Sequence, residues 1–301
     1  IEYSDIDFEL IEGRTNSFNF AAGFNSSTGF TASVDLTLRN FDISSLVSWL
    51  WGEPNFSFTG AGQILSITAQ PPLDRQQVYR ISFTEPWLFG YPLSGGFAAE
   101  YRTDNYADYS TSRAGVDPSI GWRVFPDVLW SFGYSYSLVR LFDIDRDAPD
   151  EIRDGEGADT LSQLWSEINW TTTDNPQYPT TGFELSYRFA YTGGILGGTL
   201  DFWRMNARAQ YYIPIADLDN TRTLVLAFNI AAWWQDVHSD TDEIPFVQRF
   251  LLGSNPINGR GVLRGFEYGG VGPSRRGQAI GGNFMVHGFT EIRLPIFPGT
   301  L

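Results

Sequence analysis

The chain has no cysteine and no lysine: all 20 of the basic residues among its 301 are arginine. Without cysteine there is no disulfide scaffold, no thiolate zinc site and no iron–sulfur cluster. Without lysine there is no P-loop lysine, no Schiff-base lysine and no kinase lysine. Charged residues make up only 18% of the chain, and acidic ones dominate, giving a net charge of −15 and a pI near 4.4. Such a surface is a poor partner for nucleic acid, because phosphate contacts need a basic face. No window holds the roughly 18 consecutive apolar residues of a membrane helix; the nearest, Leu46–Trp51, is far too short. The opening residues IEYSDIDFELIE carry neither a basic n-region nor an apolar h-region, so no signal peptide is expected there. The absence of lysine together with a low pI reads as a trait of the source organism, not of the mechanism.

Aromatic residues and glycine are plentiful, with 24 Phe, 14 Tyr, 10 Trp and 31 Gly. They are arranged with a period of two. In FELSYRFAY, Phe183, Leu185, Tyr187, Phe189 and Tyr191 alternate with Glu184, Ser186, Arg188 and Ala190. From residue 203, Trp203, Met205, Ala207, Ala209 and Tyr211 alternate with Arg204, Asn206, Arg208 and Gln210. A period of two sends the sets to opposite faces of a strand. Similar runs at 17–25, 29–38, 61–70, 76–85, 93–104, 111–124, 128–140, 160–172, 222–235 and 281–294 bring the total to about twelve strands. Many reach the roughly 9–11 residues of a tilted membrane-crossing strand, against about 5–6 for a soluble one. Trp170, Tyr211, Tyr212, Trp233 and Trp234 lie near strand ends, where interfacial girdles belong. The expected fold class is therefore all-β, an antiparallel transmembrane barrel. Short turns are expected at 86–92, 125–127, 174–182 and 214–220, and long polar loops at 141–159 and 236–280. The stretch 42–51 (DISSLVSWLW) reads as a short amphipathic element at the interface.

Few motifs carry chemistry. Gly259, Gly261 and Gly265 are spaced one residue too widely for a dinucleotide fingerprint and lie in no βαβ unit. Asp143, Asp145 and Asp147 have the opening spacing of a calcium loop, but Ala148 replaces its glycine and Asp154 its glutamate, so a solvated acidic loop fits better. His238, in a polar loop, reads as exposed and His287 as lumenal, and neither has metal-ligand spacing. There is no G-x-S-x-G elbow. No enzyme activity, cofactor or metal is expected. One arginine stands out: Arg264, in the glycine-rich loop and beside Phe266. It reads either as a solvated loop residue or as an inward-folded one whose partner is Glu291, which shares strand parity with Asn283, His287 and Arg293. A planar guanidinium suits such a carboxylate.

VLRGF at 262–266 resembles the loop-six signature of the BamA family, the POTRA-barrel insertases that assemble outer-membrane barrels. The likeness extends along the chain: FELIEGRTNSFNFAAGFNSSTGF resembles the end of the last POTRA domain and the first barrel strand. ISFTEPWLFGYP at 81–92 resembles a family strand end, and QYPTTGFELSYRF at 177–189 a family turn. VGP at 271–273 and GGNFM at 281–285 fall where the family has Gly-Pro and Gly-Gly-Asn. The resemblance implies a POTRA remnant at 1–13 and barrel at 14–301, carrying about the first twelve of the family's sixteen strands. It makes Val262, Leu263, Arg264, Gly265 and Phe266 the inward loop motif, and Glu291 the carboxylate partner. It makes Ser17, Phe18, Asn19, Phe20, Ala21, Ala22, Gly23, Phe24 and Asn25 the first strand of a lateral gate. Gly23, Asn19 and Asn25 are poor strand formers.

The implied function is folding and insertion of barrel proteins into the bacterial outer membrane as the central subunit of the assembly machinery, with the N-terminal side facing the periplasm. The implied partners are unfolded outer-membrane clients, accessory lipoproteins of the complex and outer-membrane lipids. A polypeptide secretion pore or TamA-like translocation factor of the same superfamily, and a passive diffusion porin, are the alternatives. Segment 40–60 is longer than the family leads one to expect between strands two and three.

Overall fold

The structure is a computed structural model, and it describes residues 16–25, 29–52, 59–219, 222–253, 263, 265–267 and 269–295. Twelve strands form one sheet in which each pairs with its neighbour in the chain, antiparallel throughout. They are β1 (Asn16–Asn25), β2 (Gly29–Phe41), β3 (Thr59–Gln70), β4 (Gln76–Glu85), β5 (Leu93–Asn105) and β6 (Ser110–Phe125). They continue with β7 (Val128–Phe142), β8 (Gly157–Thr171), β9 (Gly182–Thr192), β10 (Phe202–Asp219), β11 (Arg222–Val237) and β12 (Phe284–Arg293). The runs read from alternation are all present, most of them longer by a few residues.

The two faces are chemically opposite, as the period of two requires. Along β8, Leu164, Ile168 and Trp170 are exposed on the outer face, while Gln163, Trp165 and Glu167 line an inner cavity of about 560 Å³. Along β9, Leu185 and Tyr187 are exposed, and Ser186, Arg188 and Ala190 line the same cavity. An outer face of exposed Phe, Ile, Leu and aromatic residues over a polar interior is the arrangement of a membrane barrel. Inside, Arg80 pairs with Glu100 at 2.8 Å, and Arg188 pairs with Glu167 at 3.2 Å while its guanidinium sits 4.0 Å from the Trp165 ring. Gly133 is the register partner of Trp165, and a Cβ there would meet the indole at 2.2 Å, so only glycine admits the ring.

Three expectations need correction. Residues 214–219 are not a turn: β10 runs on to Asp219, with register shifts at Pro214/Ala216 and Asp217/Asp219. Bulges absorb the missing proline N–H without ending the strand. Tyr212 and Trp233 are not girdle residues. Each follows or precedes an outward aromatic (Tyr211, Trp234) and so must face inward, where both are buried. His238 is likewise not free in solvent: it stacks on Tyr191 at 4.5 Å between ring centroids, and its Nε2 lies 3.1 Å from the Thr192 carbonyl.

The connections differ by end. At one end lie the links 86–92, 126–127 and 172–181, together with the helix α1 (Ile43–Leu50) between β2 and β3. At the other lie the loops 143–156 and 238–283, the first carrying a single helical turn, α2 (Asp150–Arg153). The loops at this second end pack into a roof. Tyr109, Leu141, Ala148, Ile152 and Phe246 form one buried cluster, and Val139, Leu161, Leu200, Phe202 and Ile244 another. The Tyr109 and Phe246 rings meet edge-on at 5.1 Å, and Arg275 bridges to Glu151 at 2.7 Å, tying loop 238–283 to loop 143–156.

Candidate functional site: a free strand edge and an anchored loop

The first part of the site is an edge. β1 pairs with β2 along its whole length, from Asn16↔Leu38 to Asn25↔Gly29. Among the described residues no ladder forms on its other side, and the same holds for the outer side of β12. Ser17 to Asn25 therefore present a row of backbone N–H and C=O groups without strand partners. Phe18, Phe20, Ala22 and Phe24 lie on the same face as Leu36, Val34, Ala32 and Phe30 of β2, which makes an apolar outer stripe. Ser17, Asn19, Ala21 and Gly23 lie on the polar face with Thr37, Asp35, Ser33 and Thr31. Phe18, Phe20 and Phe24 are all strongly exposed. An uncovered edge of this kind is a template for another strand.

The second part is the long loop 238–283, whose root is held inside the sheet by a polar clamp. Arg204 on β10 and Gln235 on β11 are register partners, and Arg204 Nε donates to Gln235 Oε1 at 2.9 Å. The Gln248 carbonyl, on the loop, accepts from both Arg204 Nη2 and Gln235 Nε2 at 2.9 Å. Gln235 is fully buried, and its backbone N–H donates to the Asn283 carbonyl at 3.0 Å. The Arg204 guanidinium also lies over the rings of Phe202 and Phe250, at 5.3 and 5.4 Å. The loop's outgoing and returning arms exchange backbone hydrogen bonds between Phe250 and Gly282. Alternation places Arg204 and Gln235 inward, but only the register makes them a pair, so the clamp was not legible in the sequence.

Farther along the loop, Leu263 N–H donates to the Gly253 carbonyl at 2.8 Å. Gly265 adopts φ +88°, a left-handed conformation natural to glycine, and Phe266 beside it is half exposed. Val262 and Arg264 lie outside the described residues. Glu291 is in register with Ala227, whose other partner is Tyr212, and both of these are buried on the inner face. Glu291 accepts from Arg293 Nη2 at 3.2 Å, and the Arg293 guanidinium lies over the Tyr212 ring at 5.2 Å. His287, from the same face, stacks on Trp233 at 5.3 Å. Asp145, in the acidic loop, accepts from the Asp147 N–H at 2.9 Å, and the described residues hold no cluster of metal-ligating groups.

Fold and site together define an antiparallel transmembrane β-barrel sheet with an open first strand, a polar interior and a long loop clamped to the inner wall. The chain belongs to the Omp85 superfamily, whose domain model matches residues 57–300. It is 22% identical to the outer membrane protein assembly factor BamA of Neorickettsia risticii over 297 residues, 97% of this chain and 36% of that one. It is 26% identical to the BamA of Nitratidesulfovibrio vulgaris, over 68% of this chain and 25% of that one. It is also 26% identical to a SAM50-like protein of Drosophila melanogaster, over 74% and 49%. The chain thus spans about a quarter to a half of the curated relatives it matches. In three dimensions it resembles the crystal structure of BamA from Haemophilus ducreyi lacking POTRA domains 1–3. The TM-score is 0.71 at 21% identity, covering 94% of this chain and 54% of that one.

Proposed function

We propose that this chain is the greater part of the barrel of an outer-membrane assembly factor. It folds β-barrel clients and inserts them into the bacterial outer membrane as the central subunit of the barrel assembly machinery. The observation that carries the reading is the Omp85 domain match over residues 57–300, on a sheet whose edge strand β1 carries exposed Phe18, Phe20 and Phe24 on the lipid side. An incoming client strand would pair with this edge by β-augmentation, exchanging hydrogen bonds with water for hydrogen bonds with the seam. No covalent step is needed, and the chain is not an enzyme. The short β1 leaves a thin apolar band at the seam, so bilayer thinning there lowers the insertion barrier. The names of the relatives support the same assignment, two of them being assembly factors called BamA.

In this reading residues 1–13 end a periplasmic POTRA domain, and the short-turn end faces the periplasm. The partners are unfolded outer-membrane proteins, accessory lipoproteins and outer-membrane lipid. Arg264, Gly265 and Phe266 fold inward, and the Arg264 guanidinium meets Glu291 as a brace between loop and wall. The roof of packed loops is unsuited to passive diffusion. The test uses the full-length protein in liposomes and follows the folding of a urea-unfolded barrel client by gel-mobility shift. Wild type should accelerate folding, and Arg264→Ala should reduce the acceleration. No acceleration by wild type, with steady ion conductance instead, would replace the insertase by a pore.

A further inference from the structure

Helix α1 is inside-out for a water-soluble protein. It is closed at its start by Asp42, whose carboxylate accepts from the Ser44 N–H at 2.9 Å and from the Ser44 and Ser45 hydroxyls. Its one buried residue is Ser45, whereas Ile43, Leu46, Val47, Trp49 and Leu50 are all exposed, and the capping Trp51 is 83% exposed. No residue from Ile43 to Gly52 is charged. A helix that turns its serine inward and its leucine and tryptophan outward is stable only where the outside is apolar.

The helix is also held in place. Ile43 N–H donates to Gln63 Oε1 at 2.7 Å, Gln63 Nε2 donates to Glu85 Oε2 at 2.9 Å, and Glu85 Oε1 accepts from the Trp87 N–H at 2.9 Å. This relay runs from the first residue of α1, across β3 and β4, to the turn that carries Trp87, Phe89 and Tyr91, all strongly exposed. The helix and the aromatic turn are thus fixed at one end of the sheet. Exposed Phe125 and Trp170 lie at this end too, where the outer apolar face of the barrel meets its rim.

We propose that α1 is an interfacial lipid anchor: it lies in the leaflet at the short-turn end, beside β2 and β3, with Val47, Leu50 and Trp51 among the acyl chains. The occupant is lipid because the exposed helix face continues the lipid face of the barrel and aromatic side chains ring the same level. The attraction is apolar, not electrostatic, because no cation on the helix could meet an anionic headgroup. The anchor stands on the membrane-barrel fold and is independent of the insertase reading.

The chain contributes no cysteine; with any cysteine elsewhere in the full-length protein replaced by serine, single sites can be labelled. Val47→Cys, Leu50→Cys, Phe20→Cys and Asp240→Cys would each be made in the full-length protein, labelled with an environment-sensitive fluorophore and reconstituted in phosphatidylcholine vesicles. Phe20 reports the lipid face and Asp240 the aqueous loop. The labels at 47 and 50 should be quenched at least about two-fold more by a doxyl group near the headgroup end of the acyl chain than by one near its tail. Quenching should be unchanged by added phosphatidylglycerol or by salt. Quenching by aqueous iodide at 47 and 50, as at 240, with Phe20 still quenched by lipid, would overturn the anchor while leaving the barrel intact. Protection from both lipid and water quenchers would overturn it equally, by showing that protein covers the helix.

Discussion

The sheet has a thin side and a thick side. β1, β2, β3 and β4 have 10, 13, 12 and 10 residues, whereas β6, β7, β8, β10 and β11 have 16, 15, 15, 18 and 16. At roughly 3.3 Å per residue and a tilt near 45°, ten residues cross about 23 Å, close to the minimum for an apolar band of about 25 Å. The longer strands project beyond that band, and their outer ends carry the packed roof. β6, β7, β8, β10 and β11 each have two neighbours and many buried side chains, whereas β12, at the far edge, has ten residues and one neighbour. On the thin side β1 has one neighbour, and all the described side chains from Asn16 to Phe24 are exposed. The contrast teaches that one continuous sheet can hold a thin, exposed wall and a thick, packed one: strand length sets the difference, with no break in the hydrogen-bond ladder between them.

The sharpest way to break the contrast is to empty the roof. Phe246→Ala should destabilise the packed loops by about 3–5 kcal/mol, the usual cost of deleting a buried ring. It would be read as protease cleavage in loop 238–283 at lower urea than in wild type, and unchanged resistance would mean the roof is not a packed core. Next in size is the clamp. Gln235→Ala leaves Arg204 and the Gln248 carbonyl short of buried partners, at about 1–3 kcal/mol for each group left unpaired. The same cleavage assay should detect it, while pairing of β1 with β2 stays intact.

Hydrogen exchange measures the contrast directly. In liposomes, outward amides of β1 should exchange at least about 100-fold faster than those of β10 and β11, since protection follows local opening. Equal protection would mean that a further strand or a partner covers the edge.

The smallest effect concerns the helix on the thin side. Hydrogen bonds from the Ser44 hydroxyl and N–H outweigh the effect of burial and hold the Asp42 carboxyl below its ordinary 3.8. Its folded pKa is thus depressed, so the cap is present above pH 3.8 and is lost as the pH falls through the lower, folded value. The first-turn amides of α1 should lose protection below that point and not at pH 6; loss already at pH 6 would assign the helix start to another group. Asp174 behaves alike: burial raises its pKa, but hydrogen bonds from Thr180 and Thr181 prevail and hold it below 3.8. The 174–181 turn should therefore loosen in the same acidic range.

Much of this was legible because a strand's period of two is written directly in residue order. The twelve strands, their outward and inward sets and the short-turn and long-loop ends all came from alternation and strand length. Adjacent aromatics at a strand end cannot all be girdle residues: Tyr211 and Tyr212 cannot share a face, nor can Trp233 and Trp234. Pro214 predicts a turn because a missing N–H usually ends a ladder, yet a bulge lets β10 continue. Segment 40–60 stands out by its length and by the amphipathic stretch 42–51, but its serine-in, leucine-out orientation needs the sheet against which the helix lies.

The fold class is written in residue order, because alternating polar and apolar stripes on strands of membrane-crossing length, with aromatics at their ends, suit a membrane barrel. Resemblance in its glycine-rich loop and strand ends pointed to the superfamily that its domain match then established. Which residues clamp the long loop and which face α1 turns outward emerge only when the strands are paired. Those are matters of register and of contacts between residues far apart in the chain. A pairing such as Arg204 with Gln235 and Gln248 has no signature in residue order, because it exists only when three segments meet.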